Sequence, residues 1–578
     1  MKTSFPTVPE KVQPLASAPV HMVEQAPTSV APIAPGIVLV DFERVAFGNL
    51  LVTPPEGFTG EVIVHFGEAL VGGRINRTPP GSVRYACARL RLSGAIPQVV
   101  APPADTRNTG HPAAVRTPEA WGVVLPFRWV EVEGWPDDGL ATAMVRRAAF
   151  VTTWDDTAAA FASSDPMLDR IWELCRYSIK ATTFAGVYVD GDRERIAYEA
   201  DAYLNQLSHY ACAPDGQMAR ATFDRLLAYP TWSTEWAFHM IFMAHADWLQ
   251  TGDRAWLAER YDRLVPKLLQ ERAREDGLLV SSAAQMEKGD LVDWPESERD
   301  GYVFTPVNTV VNAFHLRALN LMAELATAVG REGDAQAYAA RFARGEASFQ
   351  RLLFEPLHHR YRDGEGTNHA SQHASLFPLA FGLVPPDHRA AVADGLVNRG
   401  MGGSVYAAHY LLTALFEQGR DEAALALLCA PGDRSWRHMV ESGTTITWEA
   451  WDQKYKPNQD WNHAWGAAPA HLLPRYVLGV QLAAPGGKQL LIRPHPGSLR
   501  QAAGRVPTPH GPVDVRWEQV ADFRAHITLP AGVVARLELP AGLASAGVWL
   551  AGHPVEAIRH RDRWIVPAVT GTMSLVVR

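Results

Sequence analysis

Hydrophobic and polar residues alternate one for one in Gly60-Glu-Val-Ile-Val-His-Phe-Gly67, Val83-Arg-Tyr-Ala-Cys-Ala-Arg-Leu-Arg-Leu92 and Phe127-Arg-Trp-Val-Glu-Val-Glu-Gly134. A period of two puts successive side chains on opposite faces of a strand, and the Gly and Pro residues between the runs supply turns. Residues 36–155 are therefore predicted to form a β-sandwich. The period changes at Ser164-Asp165-Pro166, a capping residue followed by the residue best suited to a first helical turn. From there Leu168, Ile171, Trp172, Cys175 and Ile179 recur at spacings of three and four, one face of a helix. About twelve such segments follow one another up to residue 475, which predicts six helical hairpins closed into an (α/α)6 barrel over residues 156–476. A helical solenoid would show self-similarity at a fixed period, and the segments have none. Alternation returns in Lys488-Gln-Leu-Leu-Ile-Arg493, Gly511-Pro-Val-Asp-Val-Arg-Trp517, Phe523-Arg-Ala-His-Ile-Thr-Leu529 and Val534-Ala-Arg-Leu-Glu-Leu539, predicting a C-terminal β-sandwich over 477–578. Residues 1–35, rich in Pro, Ala and Val without a period, read as a flexible tail.

Composition narrows what such a chain does. It has 578 residues, 47% hydrophobic and 20% charged, and no run nears the ~18 consecutive apolar residues of a membrane span. A net charge of −8 without a basic stripe offers no footprint for nucleic acid or anionic lipid. Cys87, Cys175, Cys212 and Cys429 lie far apart and suggest neither a zinc site nor a disulfide framework. Pro6, Pro9 and Pro14 interrupt the apolar segment a secretory signal needs, so a cytoplasmic location is expected. The 18 tryptophans and 15 tyrosines point toward sugars, whose apolar ring faces stack on such side chains while their hydroxyls seek carboxylates.

Two constellations carry candidate chemistry. The first is Val189-Asp-Gly-Asp-Arg-Glu-Arg-Ile-Ala-Tyr-Glu-Ala-Asp201, a dense set of acids and bases at a loop-to-helix junction. A helix starting near Glu194 would put Glu194, Tyr198 and Asp201 on one face, a set able to protonate a glycosidic oxygen and hold sugar hydroxyls. Taken alone, the cluster is equally compatible with a solvated helix start whose acids complement the dipole. The second is Gly443-Thr-Thr-Ile-Thr-Trp-Glu-Ala-Trp-Asp452 followed by Asp460-Trp-Asn-His-Ala-Trp-Gly466, with Glu449 flanked by Trp448 and Trp451 as a carboxylate suited to act on a water. An amphipathic turn with buried tryptophans accounts for the same pattern. Two further patches, Tyr229-Pro-Thr-Trp-Ser-Thr-Glu-Trp236 and Gly289-Asp-Leu-Val-Asp-Trp-Pro295, set carboxylates beside tryptophan at turns on a predicted barrel rim.

These motifs resemble those of the bacterial α-L-rhamnosidases of glycoside hydrolase family 78. Glu194-Arg-Ile-Ala-Tyr-Glu-Ala-Asp-Ala202 is similar to the family's E-R-L-G-W-T-G-D-A, and Thr444-Thr-Ile-Thr-Trp-Glu-Ala-Trp-Asp452 to its T-T-x-W-E-x-W-D. Asn462-His463 with Gly466 resembles N-H-x-x-x-G, Asp293-Trp294 the end of a G-D-W, and Phe127-Arg-Trp-Val-Glu-Val-Glu-Gly134 an F-R-Y-V-E-V-x-G ahead of the barrel. The resemblance implies an inverting hydrolase releasing terminal α-L-rhamnose, with Glu194 as general acid and Glu449 as general base. It further implies sugar contacts for Asp201, for Tyr198 in place of a Trp, and for His463. Asp190, Arg193, Trp236, Asp293, Trp294 and Trp448 complete the substrate-binding candidates. The chain departs from the pattern at Tyr198, at Glu199-Ala200 and in a shortened Asp190 loop, all around the sugar subsite.

Two carboxylates supply both proton and base, so neither metal nor cofactor is called for. The assignment requires the guanidiniums of Arg193 and Arg195 to point away from Glu194, toward Asp190, Asp192 or Glu199. Competing readings are a related hydrolase for another deoxy sugar or uronide, a polysaccharide lyase on an (α/α) barrel using Tyr188, Tyr198, His209 or His463, and a carbohydrate-binding protein without catalysis.

Overall fold

Asp165 and Pro166 open the first helix as their chemistry dictates: the Asp165 carboxylate accepts from the Met167 amide, and proline occupies the turn where its missing N–H is not needed. Leu168, Ile171, Trp172, Cys175 and Ile179 are all buried. The computed structural model describes residues 17–136, 139–141, 144–542 and 545–578. Its helices are α1 (Pro166–Ala181), α2 (Glu199–Cys212), α3 (Gln217–Ala228), α4 (Thr234–Thr251), α5 (Arg254–Leu264), α6 (Ala283–Lys288), α7 (Thr309–Val329), α8 (Glu332–Leu353), α9 (Gln372–Ala380), α10 (Arg389–Arg399), α11 (Val405–Glu417), α12 (Asp421–Leu428), α13 (Trp436–Glu441) and α14 (Pro469–Leu472).

Packing closes these helices into two rings. Helix α2 touches α4, α4 touches α7, α7 touches α9, α9 touches α11, α11 touches α14, and α14 returns to α2. Helices α1, α3, α5, α8, α10 and α12 pack outside them. The predicted (α/α)6 barrel is thus the observed one. Inner helices such as α11, buried along nearly their whole length, need apolar residues all round, whereas outer α8 buries only a stripe that includes Ala335, Tyr338, Phe349 and Leu353. The short α6 and α13 lie between the predicted segments and have too few turns to show a period.

β-Rich regions flank the barrel on both sides. Apart from the ribbon of Leu70–Val71 and Arg74–Ile75, the N-terminal strands join one eight-stranded sheet, in which the long strand Ile37–Val52 shifts register between Asp41 and Ala46. Its two halves share one core, with Val38, Val40 and Phe42 in the same cluster as Leu50 and Val52. The C-terminal region has two sheets, of seven and five strands. Two boundaries differ from the sequence reading. Val20–Gln25 and Ser29–Ala34, assigned to a flexible tail, are paired strands, the first on Val145–Thr152 and the second on Ile37–Val52. Met22 and Val23 are exposed, so that edge strand lacks the one-sided burial that makes a period visible. Residues 1–16 of the predicted tail lie outside the described residues. Ala160–Ser163, placed with the barrel, instead pairs with Gln501–Val506 in the C-terminal sheet and ties the two regions together ahead of α1. No helix among the described residues is long and apolar enough to cross a membrane.

Candidate active site

The Asp190–Glu194 loop is built from below. Arg195 adopts a left-handed conformation, φ 54°, and its amide closes a single turn on the Gly191 carbonyl at 3.1 Å. The backbone then runs extended to Tyr198, which caps α2. The predicted helix from Glu194 therefore does not form, because the positive φ at Arg195 ends the turn one residue after Glu194. Asp192 anchors the loop. Its carboxylate accepts from Arg195 at 2.6 and 2.9 Å and from Arg84 of the N-terminal sheet, while its amide donates to Asn462 Oδ1 at 2.8 Å. Arg195 points away from Glu194, as the sequence reading required.

Glu194 sits at the open end of this loop, with 38% of its side chain exposed. Tyr198 Oη donates to it at 2.9 Å, so the expected partnership of residues 194 and 198 survives without a shared helix. The Tyr198 ring stands edge-on to Trp236 at 5.4 Å, and Trp236 leans on Trp232 at 5.7 Å. Asp201, in the first turn of α2, is buried against His463 Nε2 at 2.7 Å. Asp190 is buried too: its Oδ1 accepts from the Ile196 amide at 2.9 Å, and its Oδ2 has no hydrogen-bond partner among the described residues. Burial, then the neighbouring Glu194, pushes the Asp190 carboxyl well above the usual range.

Glu449 joins this group from the other end of the sequence. Arg193, expected to turn to Asp190, Asp192 or Glu199, instead grips Glu449 in a forked pair, Nη1 to Oε2 at 2.8 Å and Nη2 to Oε1 at 3.2 Å. The same guanidinium lies 3.9 Å from Asp190 and stays 3.7 Å from Glu194 through Nε, so Arg193 does not point away from Glu194 as the sequence reading required, although its two Nη donors go to Glu449. Lys456 Nζ approaches Glu449 Oε1 at 3.1 Å, and the Asp460 amide donates to Oε2 at 3.1 Å. Burial alone would raise the Glu449 carboxyl, but Arg193, His463 and Lys456 overcome it and hold it at about 2. Trp294 lies under Lys456, its ring 5.8 Å from Nζ. Trp448 is buried and stacks on Trp461 at 5.3 Å, backing the segment that carries Glu449.

Asp293 stands apart from the group. It is fully buried, and its oxygens accept from the Ser404 hydroxyl and amide, His373 Nε2 and the Trp294 amide. Its acceptor sites are filled. It ties the starts of α9 and α11 to the Trp294 turn and presents no free oxygen to a ligand. Glu235 works similarly, accepting from the Leu291 and Val292 amides at 2.8 and 2.9 Å and so joining the two tryptophan patches. Tyr188 and His209, bases for a lyase, hydrogen-bond each other at 2.8 Å in the core. Burial pushes His209 down to about 4 and Tyr188 far above its usual range.

The sequence reading assigned no role to Lys456, Asp460, Arg84 or Glu68. Glu68 accepts from the Arg84 amide at 2.6 Å and from Asn462 at 3.1 Å, and burial pushes it up to about 8. Glu449, Asp460 and His463 bring one potential ligand atom each within 4.8 Å of one another. With Arg193 and Lys456 already on Glu449, the trio does not suit a divalent cation.

Family models match two parts of the chain: the bacterial alpha-L-rhamnosidase 6 hairpin glycosidase domain over residues 156–477 and the bacterial alpha-L-rhamnosidase C-terminal domain over 479–548. Among curated proteins, an alpha-L-rhamnosidase of Alteromonas sp. (strain LOR) is 25% identical over 72% of this chain and 48% of its own length. One from Streptomyces avermitilis is 24% identical over 98% of this chain and 53% of its own. The chain thus spans about half the length of these relatives. Solved structures with the same fold include the Streptomyces avermitilis alpha-L-rhamnosidase complexed with L-rhamnose, TM-score 0.79 at 20% identity, matched over 97% of this chain and 54% of that one. The alpha-L-rhamnosidase from Dictyoglumus thermophilum gives a TM-score of 0.81 at 17% identity, over 98% and 64%.

Proposed function

The chain belongs to the bacterial α-L-rhamnosidase family, and on that premise we propose that it hydrolyses terminal α-L-rhamnosides with inversion, Glu194 as general acid and Glu449 as general base. The observation that carries the reading is the Arg193 guanidinium, which meets Glu194 on one edge and Glu449 on another. Inverting hydrolases hold acid and base about 6.5–9.5 Å apart, and one planar cation within reach of both carboxyls supports a separation of that order.

In this reading Glu194 gives its proton to the glycosidic oxygen as the bond to the anomeric carbon breaks. A water attacks that carbon from the opposite face, and its proton passes to Glu449. Arg193 turns one Nη donor from Glu449 Oε1 to a sugar hydroxyl while the other keeps its bond to Oε2, which frees a carboxylate lone pair for the water and leaves Glu449 paired with the cation. Asp190, Tyr198, Asp201, Trp236, Trp294 and His463 surround the sugar, and Trp448 supports Glu449 from behind.

The test is turnover of p-nitrophenyl α-L-rhamnoside beside other nitrophenyl glycosides, with the first-formed anomer read by proton NMR. Glu194→Gln is expected to lose most activity on poor leaving groups and to recover it on 2,4-dinitrophenyl rhamnoside, which needs no acid. Glu449→Gln is expected to recover with azide instead. Undiminished activity in either variant removes its assigned role, and a retained anomer removes the mechanism.

A further inference from the structure

Glu449 is saturated. A carboxylate offers about four acceptor sites, and here two are taken by Arg193, one by Lys456 and one by the Asp460 amide. Asp460 is the reverse. It is fully buried, yet neither oxygen of its carboxylate has a hydrogen-bond partner among the described residues. Its position relative to Glu449 is fixed by the backbone, since the Glu449 amide donates to the Asp460 carbonyl at 3.1 Å while the Asp460 amide returns a bond to Glu449 Oε2. A carboxylate oxygen of each residue and a ring nitrogen of His463 fall within 4.8 Å of one another. Gly191 of the acid loop covers Asp460 so closely that a Cβ built there would lie 2.8 Å from Oδ2.

We propose that Asp460 is the proton reservoir of the general base: the proton that Glu449 takes from the nucleophilic water comes to rest on Asp460. The proposal rests on the hydrolase reading above. In the balanced step, a water O–H bond breaks and its oxygen forms the new bond to the anomeric carbon. The proton moves to a Glu449 oxygen and then, across one bridging water that takes it and passes on another, to an Asp460 oxygen, and is released to solvent after the sugar leaves. Asp460 touches Glu449 rather than the sugar, so it is a positioning residue.

Proton affinities run in the required direction. Glu449 is held at about 2 by its cations. Asp460 is pushed up to about 6, burial and Glu449 raising it while Arg193, His463 and Arg84 lower it. Lys456 from its own segment, Asp190 from the acid loop and Glu68 from the N-terminal sheet complete the charged groups facing it. A proton on Glu449 therefore runs downhill to Asp460. Asp460 must be ionised to accept it, so activity is lost as pH falls through about 6.

The experiment is the pH profile of kcat and kcat/KM on p-nitrophenyl α-L-rhamnoside for the wild-type chain, Asp460→Asn and Gly191→Ala. Asp460→Asn, isosteric but unable to take the proton, is expected to lower kcat about 100-fold with KM within about threefold. It should also erase the acidic limb near pH 6, which a merely structural role would leave in place. Gly191→Ala keeps the carboxylate but crowds it, and is expected to keep the limb and move it. Infrared titration of the wild-type protein should show a buried carboxyl gaining its proton near pH 6. Wild-type kcat and limb in Asp460→Asn overturn the proposal. If that variant does not fold, a wild-type infrared titration without such a carboxyl overturns it, and a carboxyl near pH 6 displaced in Gly191→Ala supports it. Absence of turnover by the wild-type protein on every nitrophenyl glycoside is the separate outcome that removes the hydrolase reading.

Discussion

Replacing Arg193 with Met removes the forked cation from Glu449 while keeping a side chain of similar length. Glu449 is almost fully buried, 3% exposed, so its charge depends on its partners rather than on water. Its carboxyl is held at about 2 against an ordinary 4.5. At 1.36 kcal/mol per pH unit, that depression is worth about 3 kcal/mol of stability at neutral pH. The sign follows from a lowered folded-state value: the stabilisation is present above pH 4.5 and is lost as pH falls toward 2. Lys456, His463 and the Asp460 amide remain in Arg193→Met, so about 2 kcal/mol of it should disappear. Urea unfolding followed by tryptophan fluorescence should show that deficit at pH 7, with about a fifth of it left at pH 2. A deficit that does not change with pH would refute the reasoning, because it would arise from lost packing rather than from the Glu449 charge.

Three further perturbations probe the surroundings. Asp293→Asn turns an amide toward the Ser404 donors and strips His373 of its partner; it should cost about 2–3 kcal/mol in unfolding experiments while changing kcat/KM of the folded fraction little. Tyr198→Phe removes only the hydroxyl that donates to Glu194 and should lower kcat by about five- to tenfold, the worth of one ordinary hydrogen bond, with stability nearly unchanged. Glu68 is raised to about 8, so its contribution favours folding at low pH and is lost as pH rises through 8. Glu68→Gln should accordingly flatten the decline in urea midpoint between pH 5 and pH 8.5.

The barrel was legible because its helices repeat apolar residues at helical spacing and its first cap is spelled by Asp165 and Pro166. Glu194 and Glu449 were legible as carboxylates in aromatic company, and the structure brings both to one guanidinium. What escaped was whatever depends on partners distant in sequence. Glu68 follows the strand Thr59–Gly67 and Arg84 precedes Tyr85–Ser93, and nothing local marks them as supports of a loop more than a hundred residues away. Asp293 beside Trp294 has the look of a sugar contact, but the pattern could not show that Ser404 and His373 already fill its oxygens. Asp460 stood in the quoted motif without a role, because its distinguishing property is a carboxylate without a hydrogen-bond partner among the described residues rather than its identity.

The two proposed catalytic carboxyls differ less in chemistry than in what surrounds them, and that difference is what assigns the roles. Glu449 has two cations and a backbone amide in contact and almost no exposure, so it is kept as an anion; Glu194 meets a neutral hydroxyl and only the edge of a guanidinium at an open mouth. Around them the carboxyls Glu68, Asp190 and Asp460 are all buried and all pushed upward, so the interior behind the base retains protons that water would otherwise take. Arg193 and Lys456 place their closest contacts on the one carboxyl that must stay ionised, and the buried acids behind it form the store of proton affinity.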